Sequence, residues 1–174
     1  LRSALLKEGF PEALIVEAGL VIRPDSGDSY DRFRGRVMFP ITDRRGRVIA
    51  FGGRILDDGQ PKYLNSPETA IFHKGRVLYG LAQALKAARE SSEVVVAEGY
   101  MDVIAMAQAG ITQAVAPLGT ALTEEQMLEL WRLAPEPILC FDGDPAGQRA
   151  AARAAERALP LLKPGHSLRF ALLP

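Results

Sequence analysis

The 174-residue chain holds one cysteine and two histidines. Cys140 alone closes no intramolecular disulfide and supplies no cysteine cluster for structural zinc. His73 and His166 stand far apart in sequence, so a protein-built zinc site is not expected. No apolar run approaches the ~18 residues of a membrane span, and the first residues are not a basic-then-apolar signal peptide. Net charge is also missing: 21 Lys+Arg balance 21 Asp+Glu, which excludes a bulk-basic nucleic-acid binder. What is present is 48% apolar residues, enough for one core or two small ones. The chain starts at Leu1 rather than Met and stops at Pro174 directly after an apolar run. It reads as a piece of a longer soluble protein, expected in the cytoplasm and without a membrane partner.

The zero balance hides a segregation. Residues 32–76 hold ten bases (Arg32, Arg34, Arg36, Arg44, Arg45, Arg47, Arg54, Lys62, Lys74, Arg76) against four acids. Residues 91–147 hold nine acids against one base, Arg132. A basic half followed by an acidic half suits a polyanion tracked by one part and a cation held by the other. Ordinary solvated surface is the plainer alternative.

The pattern along the chain divides too. Residues 3–9 and 11–18 read as short helices ended by Gly9 and Gly19, with Pro11 in a first turn. Residues 22–31 are polar and turn-rich. Residues 35–56 alternate, with Val37, Phe39 and Ile41 on one face and a turn at Gly46, which predicts a β-hairpin. Residues 57–78 read mostly as loop, and 80–90 as helix. From residue 93 the style changes to short, continuous apolar runs, typical of strands buried on both faces: Val94–Ala97, Ala114–Ala116, Pro137–Phe141 and Leu168–Leu173. Helices are expected between them at 101–109, from a Thr123/Gln126 capping box to Leu133, and from Pro145 to Leu162. This predicts a mixed α+β first part, 1–91, and an α/β second part, 92–174, with a parallel sheet and helices on both faces.

Three carboxylates sit where strands end, which is where parallel sheets bind ligands. Glu98 follows Val94–Ala97. Asp142 and Asp144 follow Ile138–Phe141, and in extended chain their side chains point to the same side. Gly143 and Gly147 allow a tight turn into the following helix. Two carboxylates ~6 Å apart repel by roughly 3 kcal/mol at an effective dielectric of ~20, so such a cluster asks for a proton or a cation. Oxygen ligands without His or Cys select magnesium or manganese over zinc. The alternative makes Asp142 or Asp144 a helix N-cap. Asp102, one turn past Glu98, is either a further group near the cation or a first-turn helix acid.

Glu98-Gly99-Tyr100-Met101-Asp102-Val103, Leu118-Gly119-Thr120 and Cys140-Phe141-Asp142-Gly143-Asp144 with Ala146-Gly147 together resemble the Toprim domain. Tyr30-Asp31-Arg32-Phe33-Arg34, Arg36–Ile41, Gly52-Gly53-Arg54, Pro61–Thr69 and Phe72–Gly75 narrow the resemblance to the core of bacterial DNA primases of the DnaG type. It covers nearly the whole chain.

The resemblance implies a nucleotidyltransferase that makes RNA primers from ribonucleoside triphosphates on a single-stranded DNA template. It implies a basic part, 1–91, lining the template and hybrid, and a Toprim part, 92–174, holding Mg2+ or Mn2+. It puts Glu98, Asp142 and Asp144 at the acidic centre, as catalytic and metal-binding residues, with Asp102 near the metals. It puts Arg32, Arg34, Arg54, Lys62, Tyr63 and Lys74 on template, primer or nucleotide. The replicative helicase would be a partner through a domain this chain lacks, as it lacks the zinc domain. The family's later Asp-Pro-Asp motif is also absent, the chain ending at Leu172-Leu173-Pro174, so the piece alone is expected to be a weak or inactive primase.

The residue chemistry agrees on its own terms. Arg54 follows Gly52-Gly53, where bare backbone lets a phosphate chain approach. Lys62-Tyr63 pairs a cation with a ring that is read either as a base-stacking platform or as core. Arg44, Arg45 and Arg47 at the hairpin tip read as solvated turn residues, His73 as structural, and Trp131 as core. A different Toprim enzyme, a nuclease or topoisomerase, and a non-catalytic nucleic-acid-binding module are the alternatives. Neither Tyr30 nor Tyr79 has the setting of a topoisomerase's catalytic tyrosine. If about four of the ten bases touch phosphates, single-strand binding falls with a log–log salt slope of roughly −3. Binding that ignores salt, or that survives neutralising Arg54, Lys62 and Lys74 together, contradicts the basic-surface reading.

Overall fold

The computed structural model describes residues 1–119 and 121–173. Thr120, the end of the Leu118-Gly119-Thr120 motif, and Pro174 lie outside them. The chain divides into two compact units, residues 1–41 with 48–73, and residues 42–47 with 74–174.

The first unit opens with two short helices, α1 (Arg2–Lys7) and α2 (Glu12–Glu17). Gly9 and Gly19 follow them at positive φ, where an L side chain is strained. Strand β1 (Val21–Ile22) pairs antiparallel with β2 (Tyr30–Asp31). Strands β3 (Arg36–Thr42), β4 (Val48–Ile55) and β5 (Tyr63–Asn65) form a sheet in that order. The hairpin is where the alternation predicts it, with Gly46 at φ +82°. Asp43 shapes the same turn, its carboxylate accepting from the amides of Arg45 (2.9 Å) and Arg47 (3.0 Å). Phe39 and Ile41 are buried, whereas Val37 is exposed. To 22–31, read as polar and turn-rich, and 57–78, read as mostly loop, the structure adds the short strands β1, β2 and β5. They are two or three residues long, too short to show a period, and exist because a partner strand takes their backbone groups.

The second unit runs α3 (Leu81–Ser91), β6 (Val95–Val96), α4 (Tyr100–Gln108), β7 (Ala114–Val115), α5 (Glu124–Trp131), β8 (Ile138–Asp142), α6 (Pro145–Ala158) and β9 (Arg169–Leu173). The four strands make one sheet in the order β7-β6-β8-β9, every pairing parallel. Helices cover both faces. Val94, Val96, Val115 and Leu139 join Leu81, Ala84 and Ala88 of α3, Met127 and Leu130 of α5, and Ala154 and Ala158 of α6 in one apolar cluster. Val95, Ala97, Ala114 and Ala116 form the other cluster, with Val103 and Met106 of α4. Strands buried on both faces read as continuous apolar runs for this reason. The compact units part at 73/74, and α3 buries its apolar side in the core of the parallel sheet. Among the described residues no helix is long and apolar enough to cross a membrane.

Thr123 caps α5 in the predicted box, its hydroxyl accepting from the Gln126 amide at 3.1 Å. Gln126 does more than cap. Its side chain is fully buried; Nε2 donates to the carbonyls of Lys74 (3.0 Å) and Val77 (2.8 Å), and Oε1 accepts from Thr123 N (3.1 Å). Gln126→Met keeps the volume and removes three buried hydrogen bonds. It should lower unfolding stability by about 2–4 kcal/mol, read as a fall in urea midpoint at unchanged slope. A midpoint within error of the parent would show that this amide does not anchor residues 74–77.

Candidate active site at the end of the parallel sheet

From β6 the chain passes to β7 on one side and returns to β8 on the other. Neighbouring strands whose connections leave in opposite directions open a crevice at their carboxyl ends. Glu98 lies two residues past β6, and Asp142 is the last residue of β8. The Asp142 backbone N–H donates to Glu98 Oε1 at 3.0 Å, so one hydrogen bond joins the two strand ends. Glu98, Asp102 and Asp142 line a cavity of about 230 Å³, with Cys140 and Leu173 in its wall. Burial raises the Cys140 thiol above its ordinary pKa, so it stays protonated at neutral pH.

The expected set of Glu98, Asp142 and Asp144 is therefore only partly brought together. Asp144 is the N-cap of α6, with Oδ1 accepting from the amides of Ala146 (2.9 Å) and Gly147 (2.7 Å). It is not in the wall of the cavity that Glu98, Asp102 and Asp142 share. The same-side expectation assumed extended chain through Asp144, but β8 ends at Asp142 and the backbone turns at Gly143. Asp102 is a first-turn acid of α4, its Oδ2 accepting from the Gly99 amide at 2.9 Å, and it also lines the cavity. Among the described residues no group of three His, Cys, Asp or Glu side chains is arranged to hold a metal ion. The carboxylate oxygens, beside a thiol that stays protonated, still suit a hard divalent cation.

Two glycines make the turn possible. A Cβ at Gly147 would lie 2.0 Å from the Asp142 carbonyl oxygen, and one at Gly143 would lie 2.3 Å from that of Leu173. Neither neighbour is a flexible side-chain tip. A second cavity, about 220 Å³, adjoins Glu98 on the face that carries α6; Arg153 and Arg157 are in its wall. The charge reading along the chain passed over these two arginines. Their spacing of four on a capped helix is the signal that would have found them.

The basic residues of the first unit fall into two groups. Arg54 and Tyr63 are cross-strand partners on β4 and β5, the guanidinium 5.8 Å from the ring centroid. Tyr63 is 44% exposed, so it is not core. Arg54 Nε is buried with no hydrogen-bond partner among the described residues. Lys62 is exposed beside them. Arg34 is exposed and stacks over the Tyr30 ring at 4.7 Å. Arg32, by contrast, donates to the Asn65 carbonyl (3.0 Å), and Arg36 to that of Lys62 (3.3 Å). Lys74 belongs to the second unit, in the single helical turn Lys74–Arg76. Arg44 corrects the solvated-turn expectation, since it pairs with Glu129 of α5. Arg47 pairs with Asp43 and Arg76 with Glu125, while Trp131 is buried as expected.

The sheet of the second unit, with carboxylates at its switch point, is a Toprim domain: residues 92–171 match that family model. Residues 1–85 match the model of the DNA primase catalytic core, N-terminal domain. The DNA primase of Pseudomonas aeruginosa is 58% identical over 161 residues, covering 92% of this chain and 24% of that protein. A solved DNA primase domain from the same species superposes with a TM-score of 0.90 at 56% identity, over 98% of this chain and 55% of that one. A DnaG primase catalytic domain bound to single-stranded DNA matches with a TM-score of 0.87 at 54% identity, over 96% and 55%. The chain belongs to the DnaG-type bacterial DNA primase family. It spans about a quarter of the length of the curated relatives it matches.

Gly147→Ala tests how tightly β8 and α6 are joined. The added methyl must push the Asp142 carbonyl aside, which should cost about 3 kcal/mol and move the Asp142 and Glu98 amide resonances. An unshifted denaturation midpoint would show that the turn has slack.

Proposed function

We propose that this chain carries part of the centre that synthesises RNA primers on a single-stranded DNA template by ribonucleotidyl transfer. The observation that carries the reading is the juxtaposition of Glu98 and Asp142 at the ends of adjacent parallel strands, with Asp102 on the same cavity. The named relatives and the solved relative bound to single-stranded DNA support it. In this reading residues 1–91 serve template and nucleotide, and residues 92–174 form the Toprim part.

Toprim domains are associated with divalent metal, and Mg2+ or Mn2+, not zinc, is the choice that oxygen donors make. Glu98, Asp142 and Asp102 would hold it, and Asp144 would join them by giving up one of its amide contacts. When bound, such a metal lowers the pKa of the attacking 3′-hydroxyl and neutralises the leaving pyrophosphate. Glu98 has a second role open to it, accepting the proton of that hydroxyl. Arg54, Lys62 and Arg34 of the first unit would contact phosphates, and Lys74 would do so separately in the second unit. The orphaned Arg54 Nε is a donor waiting for an acceptor, and the exposed Tyr63 ring is available to a base. Arg32, tied to Asn65, would position that sheet rather than touch nucleic acid. Nucleoside triphosphates, the RNA primer and, through a domain outside this chain, the replicative helicase complete the partners, all in the bacterial cytoplasm.

Primer synthesis by the full-length protein on a single-stranded template tests the reading. Glu98→Gln and Asp142→Asn should each lower the rate at least 100-fold, about 2.7 kcal/mol of barrier, while thermal stability stays near that of the parent. Near-parental rates in both variants would leave the strand-end carboxylates without the proposed role.

A further inference from the structure

We propose that the cavity between the end of β6 and helix α6 is a phosphate site, with the Arg153 guanidinium as its principal ligand. Helix α6 carries Arg149, Arg153 and Arg157 at intervals of four, so their Cα atoms rise ~6 Å apart along one side of the helix. Arg153 and Arg157 line the cavity, whose remaining wall is mostly apolar, including Val96, Leu122 and Phe141. Arg153 makes no hydrogen bond or ion pair among the described residues. The Arg157 guanidinium donates to the Leu122 carbonyl, which fixes it without neutralising it.

Two cations, neither ion-paired among the described residues, face a largely apolar wall, an arrangement that an anionic ligand would complete. A planar guanidinium matches the oxygens of a phosphate in a two-point contact. At about 220 Å³ the cavity is smaller than the ~300–1,000 Å³ of pockets that take drug-sized ligands. It therefore suits a phosphate or diphosphate group rather than a whole nucleoside. Glu98 is in the wall of this cavity and of the acidic one. An anion seated on Arg153 thus lies beside the group proposed above to serve the reaction. This inference rests on that reading only for its biological use, because the site itself consists of Arg153 and Arg157. The phosphate would come either from the tail of a nucleoside triphosphate or from a polynucleotide backbone.

The test is titration of this chain, without divalent metal, with inorganic pyrophosphate and separately with single-stranded oligothymidylate. Binding is followed by calorimetry and by the arginine Nε–H resonances. Pyrophosphate should shift Arg153 and Arg157. Arg153→Gln should weaken binding about 10-fold, and Arg153→Lys, which keeps the charge but not the fork, should fall between. Glu98→Gln should tighten pyrophosphate binding by removing a repelling charge. That outcome holds even if Glu98 proves dispensable for primer synthesis, so the two proposals fail separately. Loss of pyrophosphate binding identifies the triphosphate tail as the source, and loss of oligothymidylate binding alone identifies the backbone. Arg153 is exposed and without internal partners among the described residues, so its replacement should leave the thermal midpoint unchanged. Arg153→Gln binding both probes as the parent does would overturn the proposal.

Discussion

Parallel pairing of β6 with β8 is the constraint on which the second unit depends. Val95 pairs with Ile138 and Val96 with Leu139, two sequence regions more than forty residues apart. The pairing is held by apolar burial on both faces, with Leu139 and Val96 in one cluster and Val95 in the other. Its consequence appears at the strand ends, where the Glu98 carboxylate takes up the Asp142 amide. A charged acceptor on a backbone amide is a strong form of hydrogen bond. It holds Glu98 at the crevice instead of letting an exposed side chain wander. The acidic wall exists because the sheet's core puts these ends side by side.

Much of this unit was legible because physics leaves local marks there. Buried strands show as continuous apolar runs, the Thr123/Gln126 box marks a helix start, and Gly143 and Gly147 announce a turn with no room for Cβ. The role of Asp144 was less legible. Sequence spacing alone could not say whether β8 ends before or after Asp144, and two residues of strand length separate the strand end at Asp142 from the helix cap at Asp144. Strands β1, β2 and β5 left no mark because they exist only through their partners. The use of Gln126 as a buried anchor was hidden for the same reason: two of its acceptors lie about fifty residues away.

Charge counting along the chain was a coarser guide than geometry. Among the ten bases of residues 32–76, Arg44, Arg47 and Arg76 meet carboxylates, and Arg32 and Arg36 meet backbone carbonyls. Arg54 and Lys62 remain beside an exposed tyrosine on one small sheet. The acidic stretch in turn stops short of Arg153 and Arg157 of α6, which line a cavity with Glu98. Arginines and carboxylates thus line two cavities that share Glu98 within the second unit alone.

The central claim is that the β6 and β8 ends seat a divalent cation. Crystals of this chain soaked in manganese test it directly through anomalous difference density. The account predicts a peak within about 2.0–2.6 Å of carboxylate oxygens of both Glu98 and Asp142, with those side chains turned from their present amide contacts where needed. A manganese peak held by other carboxylates, with Glu98 still on the Asp142 amide and no density between them, would contradict it.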